Sequence, residues 1–126
     1  MPKAPREAIG KFLQEFKEIA TEGGGIHFIH RRKNIESLAY LGLTRRNCKE
    51  EILSLSVVDY CGGPKADRGK PGEIWEFGKV IAGMEVYIKL KIAQVGEERI
   101  AKCLSFHVAQ VPIRFPYKDD LEKKGV

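Results

Sequence analysis

The sequence predicts an α+β fold in which N-terminal helices pack on one face of an antiparallel sheet. Apolar residues recur at helical spacing through the first half of the chain. From Glu73 onward, apolar and polar residues alternate instead, as they do in strands. Because the helical half precedes the stranded half, this order favours segregated helices and strands over alternating parallel units. The 126 residues are assigned to one domain, 1–126, with an ordered core from about 5 to 117.

A long helix is predicted at the N-terminus. Pro5 suits the first turn of this helix, and the glycine run 23–25 ends it. The next residues, 26–30, have the composition of a short strand. One face of the long helix is apolar and is formed by Ile9, Phe12, Leu13, Phe16, Ile19 and Ala20.

Two or three short helices are predicted to follow. Asn34 is placed as the N-cap of a helix that Gly42 ends, and Thr44 as the N-cap of the next helix. Ser56 and Asp59 have the spacing of a capping pair, which predicts one more helical turn. The buried face of the helix after Thr44 is predicted to contain Cys48, Ile52 and Leu55.

The C-terminal half is predicted to form a three-stranded antiparallel meander. The glycine pair 62–63 ends the last helical turn, and the segment 64–72 has the composition of a loop. Strands follow at about 73–81, 84–94 and 99–109, with a tight connection at Ala82 and Gly83 and a turn around Gly96. The tail 119–126 is predicted to be frayed.

The outward face of this meander carries reactive side chains. Tyr87, Lys89 and Lys91 alternate with aliphatic residues along the second strand. On the third strand Cys103, Ser105 and His107 share one face, while Leu104, Phe106 and Val108 share the other. Lysines at such positions are also a common protection for an edge strand, and Lys91 is assigned that role. Cys103 is interpreted as a passive small residue of the outward face, and Trp75 as a core residue that shares a face with Phe77.

The charge distribution points to an anionic partner. The chain carries a formal net charge of +5 and has a pI near 9.2. The segment between His27 and Lys49 contains six basic side chains and one acidic side chain, Glu36. This segment alone therefore accounts for the net charge. Two interpretations stay open for it, a surface that follows phosphates and a solvated helix surface. The basic residues of the segment are Arg31, Arg32, Lys33, Arg45, Arg46 and Lys49.

Several functional classes are disfavoured by composition. No apolar run approaches the length of a membrane span, and the N-terminus lacks the apolar region of a signal peptide, so a cytoplasmic protein that binds no membrane is predicted. Cys48, Cys61 and Cys103 are odd in number and widely spaced, which indicates reduced thiols rather than a disulfide framework or a zinc site. The carboxylates are scattered as well, so neither a metal nor another cofactor is predicted.

Beyond these patterns, the chain resembles the motility quorum-sensing regulator family of bacterial type II toxins, within the RelE/ParE-like group. The resemblance runs from about residue 10 to about residue 116. It rests on GLTRR at 42–46, LSLSVVDYCGGP at 53–64, DRGKPGEIWEFGK at 67–79, GMEVYIKLKI at 83–92, and KCLSFH at 102–107 with PIRFPY at 112–117. No single motif is diagnostic, but their order and spacing together are fairly specific.

The resemblance implies a RelE-like fold and an endoribonuclease that cuts messenger RNA. It also implies a cognate antitoxin protein as a partner, and contact with operator DNA only through the antitoxin complex. Whether the ribosome is a further partner stays open.

The family's site residues map onto a few positions of this sequence. Its tyrosine falls on Tyr87, and the lysine two residues on is Lys89. Its terminal basic residue falls on His107, where the best-known members have lysine. Glu76 stands in place of a glutamine. The family's lysine after the Asp-aromatic pair has no counterpart, because the glycine pair 62–63 occupies its place, and Lys65 and Arg68 are the candidates to replace it.

Cleavage of RNA without a metal requires a base, an acid and a cation. Histidine is the residue type that most often transfers protons in enzymes, so His107 is the first candidate for the acid or the base, and Tyr87 can take the other part. Lys89 and Arg68 can stabilise the charge that builds on the phosphate. Glu76 is a candidate for a base or for a group that orients His107. The predicted RNA-binding residues are Arg31, Arg32, Lys33, Arg45, Arg46, Lys65 and Arg114.

Three alternative functions stay open. The helices around Leu38 to Leu55 could form a DNA-binding unit in which Arg45, Arg46 and Asn47 face a groove. A toxin of the same fold could instead bind a protein target without cutting RNA. The third alternative is a toxin that has lost activity and is retained as a partner-binding protein.

Overall fold

Helices and strands form largely where the sequence predicts them. The computed structural model describes residues 3–118, and the predicted frayed tail 119–126 lies outside the described residues. In chain order the elements are α1 (Arg6–Glu22), β1 (Ile26–Phe28), α2 (Arg32–Leu41), α3 (Arg45–Leu53), a 3₁₀ turn (Val57–Asp59), β2 (Tyr60–Asp67), β3 (Lys70–Ile81), β4 (Met84–Val95) and β5 (Glu98–Val108).

The strands form one mixed sheet of five strands, in the order β1-β5-β4-β3-β2. Strands β2 to β5 are an antiparallel meander, and β1 adds to β5 in parallel. The predicted α+β class is therefore confirmed. Both predicted tight turns of the meander are present, with positive φ angles at Ala82 (53°), Gly83 (78°) and Gly96 (62°).

The meander has one strand more than predicted. The segment 64–72, predicted as a loop, forms the end of β2, a turn and the start of β3, and the glycine pair 62–63 lies within β2. Strand β2 is at the sheet edge, and its pairing with β3 shifts register between Tyr60 and Gly62 and again before Lys65. Bulged edge strands accept glycine and proline, so a composition typical of a loop conceals this strand.

The core lies between the N-terminal helices and the sheet. The predicted apolar face of α1 is confirmed, since Ile9 and Phe16 are fully buried. Phe12 stacks on Trp75 with ring centroids 5.0 Å apart, which confirms Trp75 as a core residue. Thr44 forms the predicted N-cap of α3, and its capping box is completed by Asn47. Three further predicted core positions are buried, Cys48, Ile52 and Leu55.

Asn34 has a different role from the one predicted. It lies inside α2, which begins two residues earlier, and it is buried against β5. Its amide nitrogen donates to the carbonyl oxygens of Ile29 (3.1 Å) and Leu104 (3.2 Å). Its amide oxygen accepts from the backbone nitrogen of Phe106 (3.1 Å). Asn34 thus bonds to the open edge of β5 beyond the point where β1 ends, in place of a neighbouring strand.

A β-bulge in β5 changes which side chains face the core. Lys89 pairs with Ser105 and Leu90 pairs with Cys103, so Leu104 is an additional residue in the strand. Before the bulge, Cys103 belongs to the hydrophobic core and has only 1% of its surface exposed. The prediction that Cys103 shares the face of His107 is therefore wrong, because the extra residue reverses the alternation.

Among residues 3–118, none of the helices combines the length and the apolar character needed to cross a membrane.

The bonds from Asn34 to β5 generate a stability prediction. Asn34→Ala is expected to lower the free energy of unfolding by about 2 to 4 kcal/mol, because it leaves buried backbone groups of Leu104 and Phe106 without a partner. Asn47→Ala, which removes a capping bond at the exposed start of α3, is the control and should cost less than about 1 kcal/mol. Urea unfolding of the two variants measures the difference, and equal losses would contradict this role of Asn34.

Candidate active site

Three of the predicted catalytic side chains lie next to one another on β4 and β5. Tyr87 and His107 are directly opposite in the strand register, and their ring centroids are 5.7 Å apart. Lys89 follows two residues later on the same face of β4, with its Nζ atom 5.5 Å from the centroid of the Tyr87 ring. The structure thus places a phenol, an imidazole and an ammonium group within reach of one small substrate group.

The His107 ring is oriented by the backbone. Its Nδ1 atom lies 3.1 Å from the carbonyl oxygen of Val108. Because a carbonyl oxygen can only accept a hydrogen bond, this contact requires a proton on Nδ1. The ring atom that remains available to take or give a proton is therefore Nε2.

Glu76 lies beside this group and is paired with a lysine. It is opposite Lys89 in the β3–β4 register and is buried, with 5% of its surface exposed. Its Oε1 atom is 2.6 Å from the Nζ atom of Lys65 on β2. Gly62 makes room for this carboxylate, since a Cβ atom at position 62 would overlap Oε1. The missing side chain at Gly62 and the ion pair therefore bring Lys65 toward Lys89.

A strongly basic groove runs along the same face of the sheet. Its volume is about 670 Å³, and Lys89 and Glu76 line it together with Leu104 from the bulge. Seven basic side chains line the groove against two acidic ones, which favours a polyanionic ligand. The basic residues are Arg31, Lys65, Arg68, Lys70, Lys89, Lys91 and Lys102.

Lys91 belongs to this groove and does not protect an edge strand. Strand β4 is the middle strand of the sheet, so the edge-strand interpretation of Lys91 is wrong. Lys91 has 5% of its surface exposed and donates to the Oδ2 atom of Asp67 at 2.6 Å. This hydrogen bond, together with the charges of Lys91, Lys70 and Arg31, holds the pKa of the Asp67 carboxyl below its usual value.

A second, smaller depression adjoins the groove at Glu76. Its volume is about 390 Å³, and Tyr87 and His107 line it together with the segment 109–114. Two bonds to Glu85 hold that segment, from the backbone nitrogen of Ala109 to the carbonyl oxygen (2.9 Å) and from the backbone nitrogen of Ile113 to Oε1 (3.1 Å). The segment packs against β3 at Gly78, where a Cβ atom would lie 2.8 Å from Ile113 Cδ1.

The predicted RNA-binding residues divide into two groups. Arg31, Lys65 and the catalytic candidate Arg68 line the groove, and Arg114 lines the smaller depression. The other four do not line either space. They are Arg32, which pairs with Glu36 at 3.6 Å, Arg45, whose guanidinium lies 2.9 Å from the His30 ring, and the exposed side chains of Lys33 and Arg46.

Sequence reasoning missed Lys70 and Lys102 as residues of the groove. Lys70 lies in the segment predicted as a loop. Lys102 pairs in register with Lys91, but strict alternation counted back from His107 assigns it to the core face. The pairing of Lys91 with Lys102 on adjacent strands would indicate a basic groove, but it can be inferred from the sequence only if the bulge at Leu104 is recognised first.

Cys48 and Cys103 are buried, Cys61 is half-buried, and the pKa values of all three thiols are raised. Burial, with a smaller contribution from the Glu76 charge, raises the pKa of the Cys61 thiol to about 12. Burial likewise raises the pKa of Cys48 to about 11 and raises that of Cys103 further. All three cysteines are free thiols. Cys61 lines the smaller depression beside Glu76, and its protonated sulfur is a weak nucleophile there.

Within the described residues, His, Cys, Asp and Glu side chains form no group of three or more that could hold a metal ion. Comparison of the chain with protein-family models, with curated proteins and with solved structures finds no match in any of the three.

The position of Gly62 predicts a change confined to the site. Gly62→Ala is expected to displace the Glu76 carboxylate and break its 2.6 Å contact with Lys65, because the new methyl group needs the space of Oε1. The free energy of unfolding should fall by about 1 to 3 kcal/mol, because the buried Glu76 carboxylate loses its charged partner. A crystal structure and urea unfolding of the variant test both statements. Gly24→Ala, at a position with nothing within 4 Å, is the matched control.

The raised thiol pKa values predict slow modification of the native protein. At mildly alkaline pH, Cys48 and Cys61 should react with a disulfide reagent about a hundredfold or more slowly than in urea, because little thiolate is present. The rate should rise about tenfold per pH unit toward those pKa values. Mass spectrometry of each labelled cysteine measures the rates, and labelling of either thiol at the unfolded rate would contradict the prediction.

Proposed function

We propose that this protein is the toxin of a type II toxin-antitoxin system, with a RelE-like fold, and that it is an endoribonuclease that cuts messenger RNA without a metal ion. The observation that carries the proposal is the position of Tyr87 between His107, whose ring is 5.7 Å away, and Lys89, which lines the basic groove. The resemblance to bacterial type II toxins assigns the same three positions. The groove supplies the positive charge that an RNA backbone requires.

The proposed reaction is attack by the ribose 2′-oxygen on the adjacent phosphorus. The bond from phosphorus to the 5′-oxygen breaks as the new bond forms, which yields a 2′,3′-cyclic phosphate and a 5′-hydroxyl end. One group must take the 2′ proton and another must protonate the departing 5′-oxygen. Tyr87 and the Nε2 atom of His107 are the two groups proposed for these transfers, since their rings are neighbours across the strands.

The phosphate gains negative charge in this step, and lysines are proposed to stabilise it. The Nζ atom of Lys89 lies 5.5 Å from the centroid of the Tyr87 ring, and Lys65 and Arg68 line the same groove as Lys89. One well-placed donor of this kind lowers the activation free energy by about 3 to 4 kcal/mol. Lys65 is therefore proposed to take the place of the family's lysine, whose position is occupied here by the glycine pair 62–63. Glu76, whose Oε1 atom is paired with Lys65, is proposed to act as a positioning residue rather than as a base.

The proposal includes partners that follow from the resemblance. The substrate is messenger RNA, with the ribosome as an open question. A cognate antitoxin protein silences the enzyme, and operator DNA is contacted only through the complex with the antitoxin. Arg45 and Arg46 lie outside both spaces of the site, so they are the residues on which a separate DNA-binding role would depend.

The first test is the mapping of RNA 5′ ends after induced expression in a bacterial host. The native chain is expected to produce new 5′-hydroxyl ends at a short sequence, and His107→Ala should reduce cleavage by about two to four orders of magnitude, because a proton-transfer group is lost. Purified protein should form the same ends in the presence of a chelator. His27→Ala, at an exposed position of β1, is the matched control and should cut like the native chain.

Other outcomes separate the alternatives. Growth arrest without new RNA ends would contradict ribonuclease activity and would favour a protein or DNA target. Binding to duplex DNA that is lost when Arg45 and Arg46 are both changed to Ala would favour the DNA-binding alternative. Absence of both arrest and cleavage in a folded protein would favour a retained partner-binding role.

A further inference from the structure

We infer that the smaller depression beside Tyr87 and His107 binds one unpaired nucleobase, next to the phosphate held at Lys89. This inference rests on the proposed ribonuclease and names a feature of its substrate, a single strand with an accessible base. The phosphates of the strand then follow the basic groove, while the base enters the depression. Glu76, which lines both spaces, marks the boundary between them.

The lining of the depression suits the chemistry of a base. Val111, Pro112 and Ile113 provide apolar surface in the same depression as the two rings of Tyr87 and His107. A flat heterocycle gains from burial between such surfaces and from stacking on an aromatic ring. Polar groups that can contact the edge of a base are few, and the charged ones are Glu76 and Arg114.

The wall of the depression is held in place before any ligand binds. Glu85 bonds its two ends, at Ala109 and Ile113, through backbone and side-chain oxygens. Gly78 lets Ile113 and Phe115 approach the sheet within 2.8 to 2.9 Å of the place where a Cβ atom would lie. A wall fixed in this way does not have to be ordered on binding, which favours recognition by shape.

Charge separates the paths of the backbone and the base. The groove carries seven basic side chains, whereas Arg114 is the lone lysine or arginine among the described residues that line the depression. Phosphates are therefore attracted to the groove side of Glu76, and the less polar base fits the other side. Val111 lies at the depression and is 73% exposed, so a base that covers it removes apolar surface from water.

The test measures binding without cleavage. The probe is a random-sequence pool of 2′-O-methyl oligoribonucleotides, which lack the attacking hydroxyl, and the comparison is a strand of equal length and charge without bases. Fluorescence anisotropy gives the ratio of the two affinities. Val111→Asp is the variant, and Val95→Asp is the matched control, since Val95 is also exposed (56%) but lies at the far end of β4.

The native protein is expected to bind the base-bearing strand about tenfold more tightly than the abasic strand, as one stacked base contributes. Val111→Asp should reduce this ratio to near one, because a carboxylate replaces the apolar wall. Val95→Asp should leave the ratio unchanged. The ratio isolates the base, since any long-range effect of the added charge acts on both strands alike.

Equal affinity of the native protein for the two strands would overturn the inference, as would an unchanged ratio in Val111→Asp. If RNA cleavage that depends on His107 accompanies either result, the base site is wrong and the ribonuclease proposal stands. Base-dependent binding that Val111→Asp removes, in a protein that cuts no RNA, would instead support the base site and contradict the ribonuclease proposal.

Discussion

The geometry of the candidate site depends on how α2 bonds to the bulged edge of β5. Three residues of β1 pair with residues 101–103 of β5, and the strand then bulges at Leu104, beyond the end of β1. Asn34 satisfies the backbone on both sides of the bulge, and the Ser37 hydroxyl accepts from the Val108 nitrogen at 3.0 Å. Two of these bonds are made by the residues immediately before and after His107, Phe106 and Val108. The position of His107 opposite Tyr87 therefore depends on two buried polar side chains of a helix that does not itself contribute to the pair of rings.

The bulge also explains how one face of the sheet holds so many cations. Because it shifts the alternation, Lys102 and His107 lie on the same side of β5 although they are five positions apart, which would place them on opposite sides of a regular strand. Crowded like charges repel one another, and the two acids of the groove relieve this at Lys65 and Lys91. Seven basic side chains against two acidic ones still leave an excess of positive charge in the groove. A polyanion that binds the groove would stabilise the folded state, because it binds only the folded protein. The local excess of charge is therefore stronger evidence for a polyanionic ligand than the net charge of the whole chain.

The sequence predicts the parts of the molecule that obey regular periodicity. The apolar face of α1, the cap at Thr44 and the common face of Tyr87 and Lys89 all follow from spacing, and all are present. The errors fall where regularity breaks. Strand β2 resembles a loop because bulges admit its glycines and proline, Cys103 changes sides because of one inserted residue, and Asn34 resembles a cap although it serves a distant strand edge. The partners of Asn34 on β5 are about 70 residues away in sequence, which local patterns do not encode, whereas the other two errors come from bulges that break strict alternation.

The proposed function assigns chemistry and selectivity to different parts of the fold. Tyr87, Lys89 and Glu76 project from β3 and β4, inner strands whose backbones are bonded on both sides, so the distances among reactive groups are set by the sheet. The wall of the smaller depression comes from the segment 109–114, which is attached through Glu85 and the bare backbone at Gly78. Substitutions in that segment can alter what fits beside the two rings without moving the rings themselves. In the proposed ribonuclease, a sheet face of fixed geometry beside a separately anchored wall would allow the preferred RNA sequence to change while the cleavage reaction stays the same.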